Sequence, residues 1–374
     1  MYICQWFLFL SFFFVFASGL MDKFLDAKAI AKANGGSFLG AFQMTCFIPL
    51  AYVSYYGINT WFFEKFQASR TAEERLFGPV SENVRKIGEV QKIDPNRIIC
   101  GAGSDEIIQL LCRCFCEKND EVIYTEHGFL MYKLSALAAG ARPVKVEEIK
   151  RTASIDNICA AITAKTKIIF LANPNNPTGT MISAIEIEQL LNQIPDNILL
   201  VLDGAYSEYV DSFDGGISLV NKFGNLFVTR TFSKIFGLGG LRVGWGYGAR
   251  DIIDVLNSVR SPFNVSSLGL KMAELSIADV KFVSEQRELN IVNREMLRNR
   301  LLGLGLKIDQ SFANFLLLRF VSEEQVNKID SFLKERGFIL RKVGSYGLPK
   351  CLRLSIGNKE ICEKLYSTLE EYFD

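Results

Sequence analysis

The sequence predicts an α/β protein: a mostly parallel central sheet flanked by helices, followed by a smaller C-terminal α+β unit. Two observations predict it. From about residue 86, short β-rich runs alternate with helix-length amphipathic stretches, as a parallel sheet requires for its crossovers. Past Ser261-Pro262-Phe263 that alternation gives way to a long helical stretch and then to a second, shorter set of strands. At 374 residues the chain is long enough to bury one large core and one smaller one.

The expected strands of the central sheet are residues 97–100, 121–124, 167–171, 198–202 and 226–229. Gly101-Ala102-Gly103-Ser104 lies between the first of them and the helical run 107–115. Ser183, three residues before Glu186 and just ahead of Leu190 and Leu191, is a capping box that opens a helix. In the C-terminal part, the strand-like segments 315–319 and 352–355 flank a helix near 323–336. Neither an internal repeat nor a Pro/Gly/Ser-rich linker interrupts the chain. The expected organisation is an atypical N-terminal segment (1–85), a large domain (86–262) and a small C-terminal domain (263–374).

Composition narrows the chemistry. Lys and Arg total 42 against 41 Asp and Glu, a net charge of +1, so no field draws the chain to nucleic acid or an anionic membrane. The aromatic residues do not interleave with basic runs as they do on a nucleic-acid surface. There are nine cysteines, an odd number, with none of the paired spacings that hold zinc. Cys112, Cys114 and Cys116 alternate within a helix-like run, which points them to different faces; reduced thiols filling core is the expectation. His127 is the single histidine, so multi-histidine metal sites are excluded and a Ser-His-Asp triad could be built on that residue alone. Chemistry must come from Lys, Asp, Tyr, Arg or a cofactor.

The N-terminus has a different texture. Residues 1–20 carry no charge and lack the positive region that opens a signal peptide. A second uncharged run, 33–63, contains Pro49 and Gly57 and makes a poor spanning helix. A membrane anchor, a diverged soluble arm and a shifted reading frame are the three readings of this region.

The ends of the expected strands carry unusual chemistry. Residues 167–171 run into Asn173-Pro174-Asn175-Asn176-Pro177-Thr178-Gly179. Residues 198–202 run into Asp203-Gly204-Ala205-Tyr206, and 226–229 into Arg230, Thr231-Phe232-Ser233-Lys234 and then Arg242. Ligands of open parallel sheets bind beyond the carboxyl ends of the strands. Three successive ends therefore place an amide, a carboxylate, a phenol, a lysine and an arginine around one crevice. Pyridoxal 5′-phosphate needs that set: a lysine to condense with its aldehyde and move the substrate's Cα proton, and a carboxylate to keep its ring nitrogen protonated. A phenol and an amide bond the ring 3′-oxygen, and arginine, serine and a helix N-terminus neutralise its phosphate. Asp105 and Glu106, beside the Gly101–Ser104 turn, would repel that phosphate unless they cap the helix or face away.

The segments 173–179, 203–206 and Thr231-Phe232-Ser233-Lys234-Ile235-Phe236-Gly237-Leu238-Gly239-Gly240-Leu241-Arg242-Val243-Gly244 resemble the fold-type I, class II aminotransferases, and among them the histidinol-phosphate aminotransferases. Supporting segments are 98–106, 126–132, 311–315 and 347–357, so the resemblance runs from about residue 86 to the C-terminus; only 231–244 is specific alone. It implies pyridoxal phosphate as cofactor, with Lys234 as the Schiff-base lysine and Asp203 as partner of the ring nitrogen. It implies that Tyr206 and Asn176 contact the 3′-oxygen, that Ser233, Arg242 and the Gly103-Ser104 turn hold the phosphate, and that Phe129 stacks on the ring. Arg353 matches the arginine that takes a substrate carboxylate as a fork, and Arg341 is a candidate for the substrate's phosphate. His127 is read as an ordinary loop residue.

The implied reaction is L-histidinol phosphate plus 2-oxoglutarate giving imidazole-acetol phosphate plus L-glutamate, in two ping-pong half-reactions of a cytoplasmic homodimer of histidine biosynthesis. Relatives on the same scaffold act on aromatic amino acids or decarboxylate a phosphorylated amino acid, and motifs that bind only cofactor do not separate these. The sequence departs from the family at Gly204, where Glu is usual, and upstream of residue 86. There it reads Gly78-Pro79-Val80-Ser81-Glu82-Asn83, and the family's Asn-Glu-Asn-Pro and Tyr-Pro-Asp segments are missing. So abrupt a change favours a shifted frame or wrong start, and it keeps a non-catalytic remnant as the alternative.

Overall fold

The computed structural model describes residues 82–373. The uncharged runs 1–20 and 33–63, and with them the three readings of the N-terminal segment, lie outside the described residues. Among the described residues no helix is long and apolar enough to cross a membrane.

Two sheets organise the chain. The first has seven strands: β1 (Ile98–Gly101), β2 (Glu121–Thr125), β3 (Arg142–Val146), β4 (Thr166–Ala172), β5 (Leu199–Asp203), β6 (Leu226–Thr231) and β7 (Gly244–Tyr247), in the order β1-β7-β6-β5-β4-β2-β3. Five of them, from β6 across to β3, pair in parallel, and β7 runs antiparallel between β6 and β1. The sheet is thus mostly parallel, as expected. The centres of β4 and β5 and the first half of β6 read as apolar runs, and the three strands are buried at every position but Lys167, because helices cover both faces.

Helices α1 (Glu82–Gln91), α2 (Ser104–Phe115), α3 (Leu130–Ala138), α4 (Ile155–Ala160), α5 (Ala184–Gln193), α6 (Arg250–Val259) and α7 (Ser267–Ala278) complete this part. The capping box that opens α5 forms as expected: the Ser183 hydroxyl accepts the Glu186 N–H at 3.2 Å, and the Glu186 carboxylate accepts the Ser183 N–H at 2.7 Å. Buried side chains form one layer on each face of the sheet, one built around Ile169, Leu200 and Trp245 and the other around Ile168, Val201 and Phe227.

The second sheet is antiparallel with the order β10-β11-β9-β8, from β8 (Lys307–Ile308), β9 (Phe315–Arg319), β10 (Arg341–Val343) and β11 (Leu348–Ser355). It is covered by α9 (Glu323–Glu335) and α10 (Lys359–Phe373). The 24-residue α8 (Val280–Gly303) joins the two parts physically: Val283 packs into the first core, Leu297 and Leu301 into the second.

Two strands carry little sequence signal. The edge strand β3 contains Pro143, which cannot donate to a ladder and is tolerated where one side lacks a partner. In β7 the glycines are a matter of fit, since a Cβ on Gly246 would lie 2.5 Å from the Phe227 ring. Side-chain propensity marks neither.

Candidate active site

The registers Ala172↔Asp203 and Asp203↔Thr229 place the ends of β4, β5 and β6 side by side. Because β7 is antiparallel to both neighbours, the C-terminal end of β1 falls on the same edge, through Gly101↔Gly244 and Thr231↔Gly244. The turn into α2 therefore meets the loop after β6. Gly103, the N-cap of α2, has φ of +79°, and a Cβ there would fall on the Arg242 guanidinium.

Around that turn the groups suit an anion. Arg242, itself in the left-handed region, donates to the Gly239 carbonyl at 3.0 Å and approaches the Ser233 hydroxyl at 3.4 Å. Ser104 opens α2, whose first N–H groups have no intrahelical acceptor. The two acids beside the turn take the roles that remove their threat to an anion. The Glu106 carboxylate accepts the Ala102 N–H and the Asn264 amide, both at 2.6 Å, and the Asp105 carboxylate pairs with Arg242 at 3.1 Å.

Lys234 lies just past β6. Its amine stands 5.3 Å from the centre of the Tyr206 ring, and its pKa is lowered, first by burial and then by Arg353, against the opposing pull of Asp203. Burial also pushes the Tyr206 phenol up, to about 12, while Arg353 pulls it down. Asp203 ends β5 with a 5 % exposed side chain. One of its oxygens accepts the Ala205 N–H at 3.1 Å; the other accepts the Tyr132 hydroxyl at 2.6 Å. Burial raises the carboxyl's pKa, and the donors Tyr132, Thr229 and Ala205 oppose that rise.

The second sheet adds the arginines. Arg353 of β11 donates to the Asn176 side-chain oxygen at 2.5 Å and stands 5.0 Å from the centre of the Phe315 ring, which meets Tyr206 edge-on at 5.2 Å. Its buried Nε has no partner. Arg341 of β10 is directly opposite Arg353 in the ladder and is exposed, so the pair shares one face of the sheet. The structure thus gathers Lys234, Tyr206, Asp203, Asn176 and Arg353 on one side, and Gly103, Ser104, Ser233 and Arg242 on the other. Phe129 approaches through its edge contact with Tyr132, 5.8 Å between ring centres, and Arg341 stands at the periphery.

Two residues have more to do than their sequence suggests. Tyr132 lies within the segment 126–132, but nothing in the sequence pairs it with Asp203; the available cue is its place three residues, one helical turn, after Phe129. His127 is a buried tie between distant parts of the chain. Its Nδ1 lies 2.8 Å from the Tyr346 carbonyl oxygen, and since a carbonyl only accepts, Nδ1 carries the proton. Among the described residues no group of three or more His, Cys, Asp or Glu could hold a metal ion, and the cysteines described are free.

Comparison with known proteins shows the family. Residues 79–369 match the family model described as aminotransferase class I and II, and the chain belongs to that family of pyridoxal-phosphate-dependent enzymes. Among curated proteins it is similar to the histidinol-phosphate aminotransferase of Ruegeria sp. (strain TM1040), 51% identical over 286 residues that cover 76% of this chain and 79% of the relative. That of Paracoccus denitrificans (strain Pd 1222) is 50% identical over 286 residues, 76% of this chain and 78% of the relative.

Solved structures share the fold. Histidinol-phosphate aminotransferase from Sinorhizobium meliloti, in complex with pyridoxal 5′-phosphate, superposes with a TM-score of 0.73 at 24% identity, covering 78% of this chain and 81% of that one. Aspartate aminotransferase from Thermus thermophilus with maleate gives 0.68 at 22% identity, covering 77% and 80%. The donor set fits the cofactor on the chain's own geometry: a turn where a Cβ would fill the cradle, a cation and a helix N-terminus for the phosphate, a buried carboxylate, and a lysine whose pKa is lowered by burial.

Proposed function

We propose that this aminotransferase moves the amino group of L-histidinol phosphate to 2-oxoglutarate, giving imidazole-acetol phosphate and L-glutamate, a step of histidine biosynthesis. One observation carries the chemistry: the Lys234 amine, beside Tyr206 and under the influence of both Asp203 and Arg353, faces the junction of a carboxylate-bearing strand end and an arginine-bearing strand. The substrate follows from relatives of that name, about half identical to this chain over most of their length.

Bound here, pyridoxal phosphate supplies an aldehyde that takes up the substrate amine and a ring that draws electrons away from the adjacent C–H bond. Lys234 holds the aldehyde in the resting protein and carries the proton at the substrate's Cα. Its lowered pKa leaves more of it neutral near pH 7 than an ordinary lysine would have. Asp203 pairs with the ring nitrogen, and Tyr206 and Asn176 contact the 3′-oxygen. Ser233, Arg242 and the Gly103-Ser104 turn hold the phosphate, and Phe129 lies on the ring. Arg353 takes the carboxylate of glutamate and 2-oxoglutarate as a fork; Arg341, across the ladder, adds charge for the phosphate of histidinol phosphate. In this reading residues 86–262 are the cofactor-binding domain and 263–374 the smaller domain, and the enzyme works as a cytoplasmic homodimer.

The test is a titration of the purified chain with pyridoxal phosphate, followed by visible absorbance. A band should form that is absent in Lys234→Ala. Histidinol phosphate should bleach it, and 2-oxoglutarate should restore it. No band, or one unaltered in Lys234→Ala, would sink the catalytic reading; bleaching by tyrosine or phenylalanine but not by histidinol phosphate would put an aromatic aminotransferase in its place.

A further inference from the structure

Asp203 is held in an unusual way for a buried carboxylate. Among the described residues it is in no ion pair, and the donors that favour its charged form are all neutral: the Tyr132 phenol, the Thr229 hydroxyl and the Ala205 N–H. The phenol is tightly placed. Tyr132 is 1 % exposed, its ring lies flat on Phe170 with centres 4.7 Å apart and planes 2° apart, and its edge meets Phe129. Phe129 and Tyr132 are one turn apart at the start of α3, so a single helical turn sets the Phe129 ring against Tyr132 and the Tyr132 hydroxyl on the carboxylate.

We propose that Tyr132 is a positioning residue that acts through Asp203: its hydroxyl keeps that carboxylate ionised and aims it at the cofactor's ring nitrogen. The proposal rests on reading Asp203 as the ring-nitrogen partner. A carboxylate paired with arginine or lysine would spend its charge on that cation. A neutral donor leaves the charge for the ring N–H and still satisfies one oxygen. Tyr132 suits this role because burial and the neighbouring Asp203 hold its phenol well above the usual range, so it always donates and never competes as an anion. Without the hydroxyl, Asp203 is one donor short in a buried place, and protonation becomes its easier state. A protonated Asp203 no longer favours a protonated ring.

The experiment compares two cofactors on the cofactor-free protein: pyridoxal phosphate, and its 1-deaza analogue in which C–H replaces the ring nitrogen. Tyr132→Phe keeps the ring and its stack. It should weaken pyridoxal phosphate about tenfold, the worth of one charged hydrogen bond at its low end, and shift the 1-deaza analogue less than about twofold. Combining it with Asp203→Asn should weaken pyridoxal phosphate no further than Asp203→Asn alone. Equal losses for both cofactors in Tyr132→Phe would mean that Tyr132 only packs, and no loss for pyridoxal phosphate would overturn the proposal outright. If Asp203→Asn itself fails to tell the two cofactors apart, the reading of Asp203 is what fails, and the proposal with it. Should Tyr132→Phe not fold, Phe170→Leu slackens the stack while keeping the hydroxyl. It is expected to weaken pyridoxal phosphate selectively, and an equal loss for both cofactors overturns the proposal there too.

Discussion

The two sheets reach the candidate site by different means. The seven-stranded sheet contributes residues at or just beyond strand ends, Asp203, Asn176 and Lys234, and backbone register sets those ends side by side. The four-stranded sheet contributes Arg341 and Arg353 from within strands, as long side chains borne at opposite positions of an antiparallel ladder. Residues of the first kind sit on a rigid edge built before any ligand is considered. Those of the second reach in, and their placement depends on partners such as Asn176 and Phe315. Chemistry at the reacting atoms should therefore fail sharply when the first sheet is altered, and recognition of substrate when the second is.

The largest effect should come from Lys234→Ala, which on the proposed reading removes both the covalent anchor and the proton carrier. A loss above about 10⁴-fold in kcat is expected in single-turnover assays; a loss below about a hundredfold would move the proton transfer elsewhere. Next is Arg353→Lys, which keeps the charge but loses the fork and the Asn176 bond. It should lower kcat/KM for glutamate by about 2–4 kcal/mol, thirty- to a thousandfold, with the cofactor's own affinity little changed. Equal damage to cofactor binding would erase the contrast between the sheets.

A third prediction follows from the lysine's charge. The folded chain releases the Lys234 proton below the ordinary lysine value of 10.5, while the unfolded chain keeps it up to about that value. Between the two the unfolded state binds more protons, so this group's contribution to stability rises with pH. In urea melts of cofactor-free protein, Lys234→Met should be the more stable form at neutral pH, and its advantage should shrink as pH approaches 10.5. A widening gap would contradict the burial of that amine. Smallest is Ser183→Ala, which removes a helix cap and no group of the candidate site: about 1 kcal/mol of stability lost, a few degrees in Tm, and unchanged cofactor affinity.

Much of this architecture was legible residue by residue. The parallel strands β2, β4, β5 and β6 lie within one or two residues of the expected runs, because strands buried on both faces carry short apolar, β-rich cores that stand out locally. The Ser183–Glu186 box is local chemistry and needs nothing from the rest of the fold. The edge strand β3 and the glycine-bearing β7 were not legible: one is defined by the neighbour it lacks, the other by close approach to Phe227. The acids beside the Gly101–Ser104 turn are a further case. Their charge reads as an obstacle to an anion until the fold supplies Ala102 N–H and Asn264 for Glu106, and Arg242 for Asp105.

The sequence by itself determined the periodic elements, the polar groups at three strand ends and the kind of cofactor those groups suit, since each depends on residues near one another in the chain. Only the tertiary structure decided which groups share a hydrogen bond across long separations: Tyr132 with Asp203, Arg353 with Asn176, His127 with Tyr346. Such pairs depend on two groups meeting at under 3 Å although they stand 71, 177 or 219 positions apart in the chain, and no local preference encodes that distance.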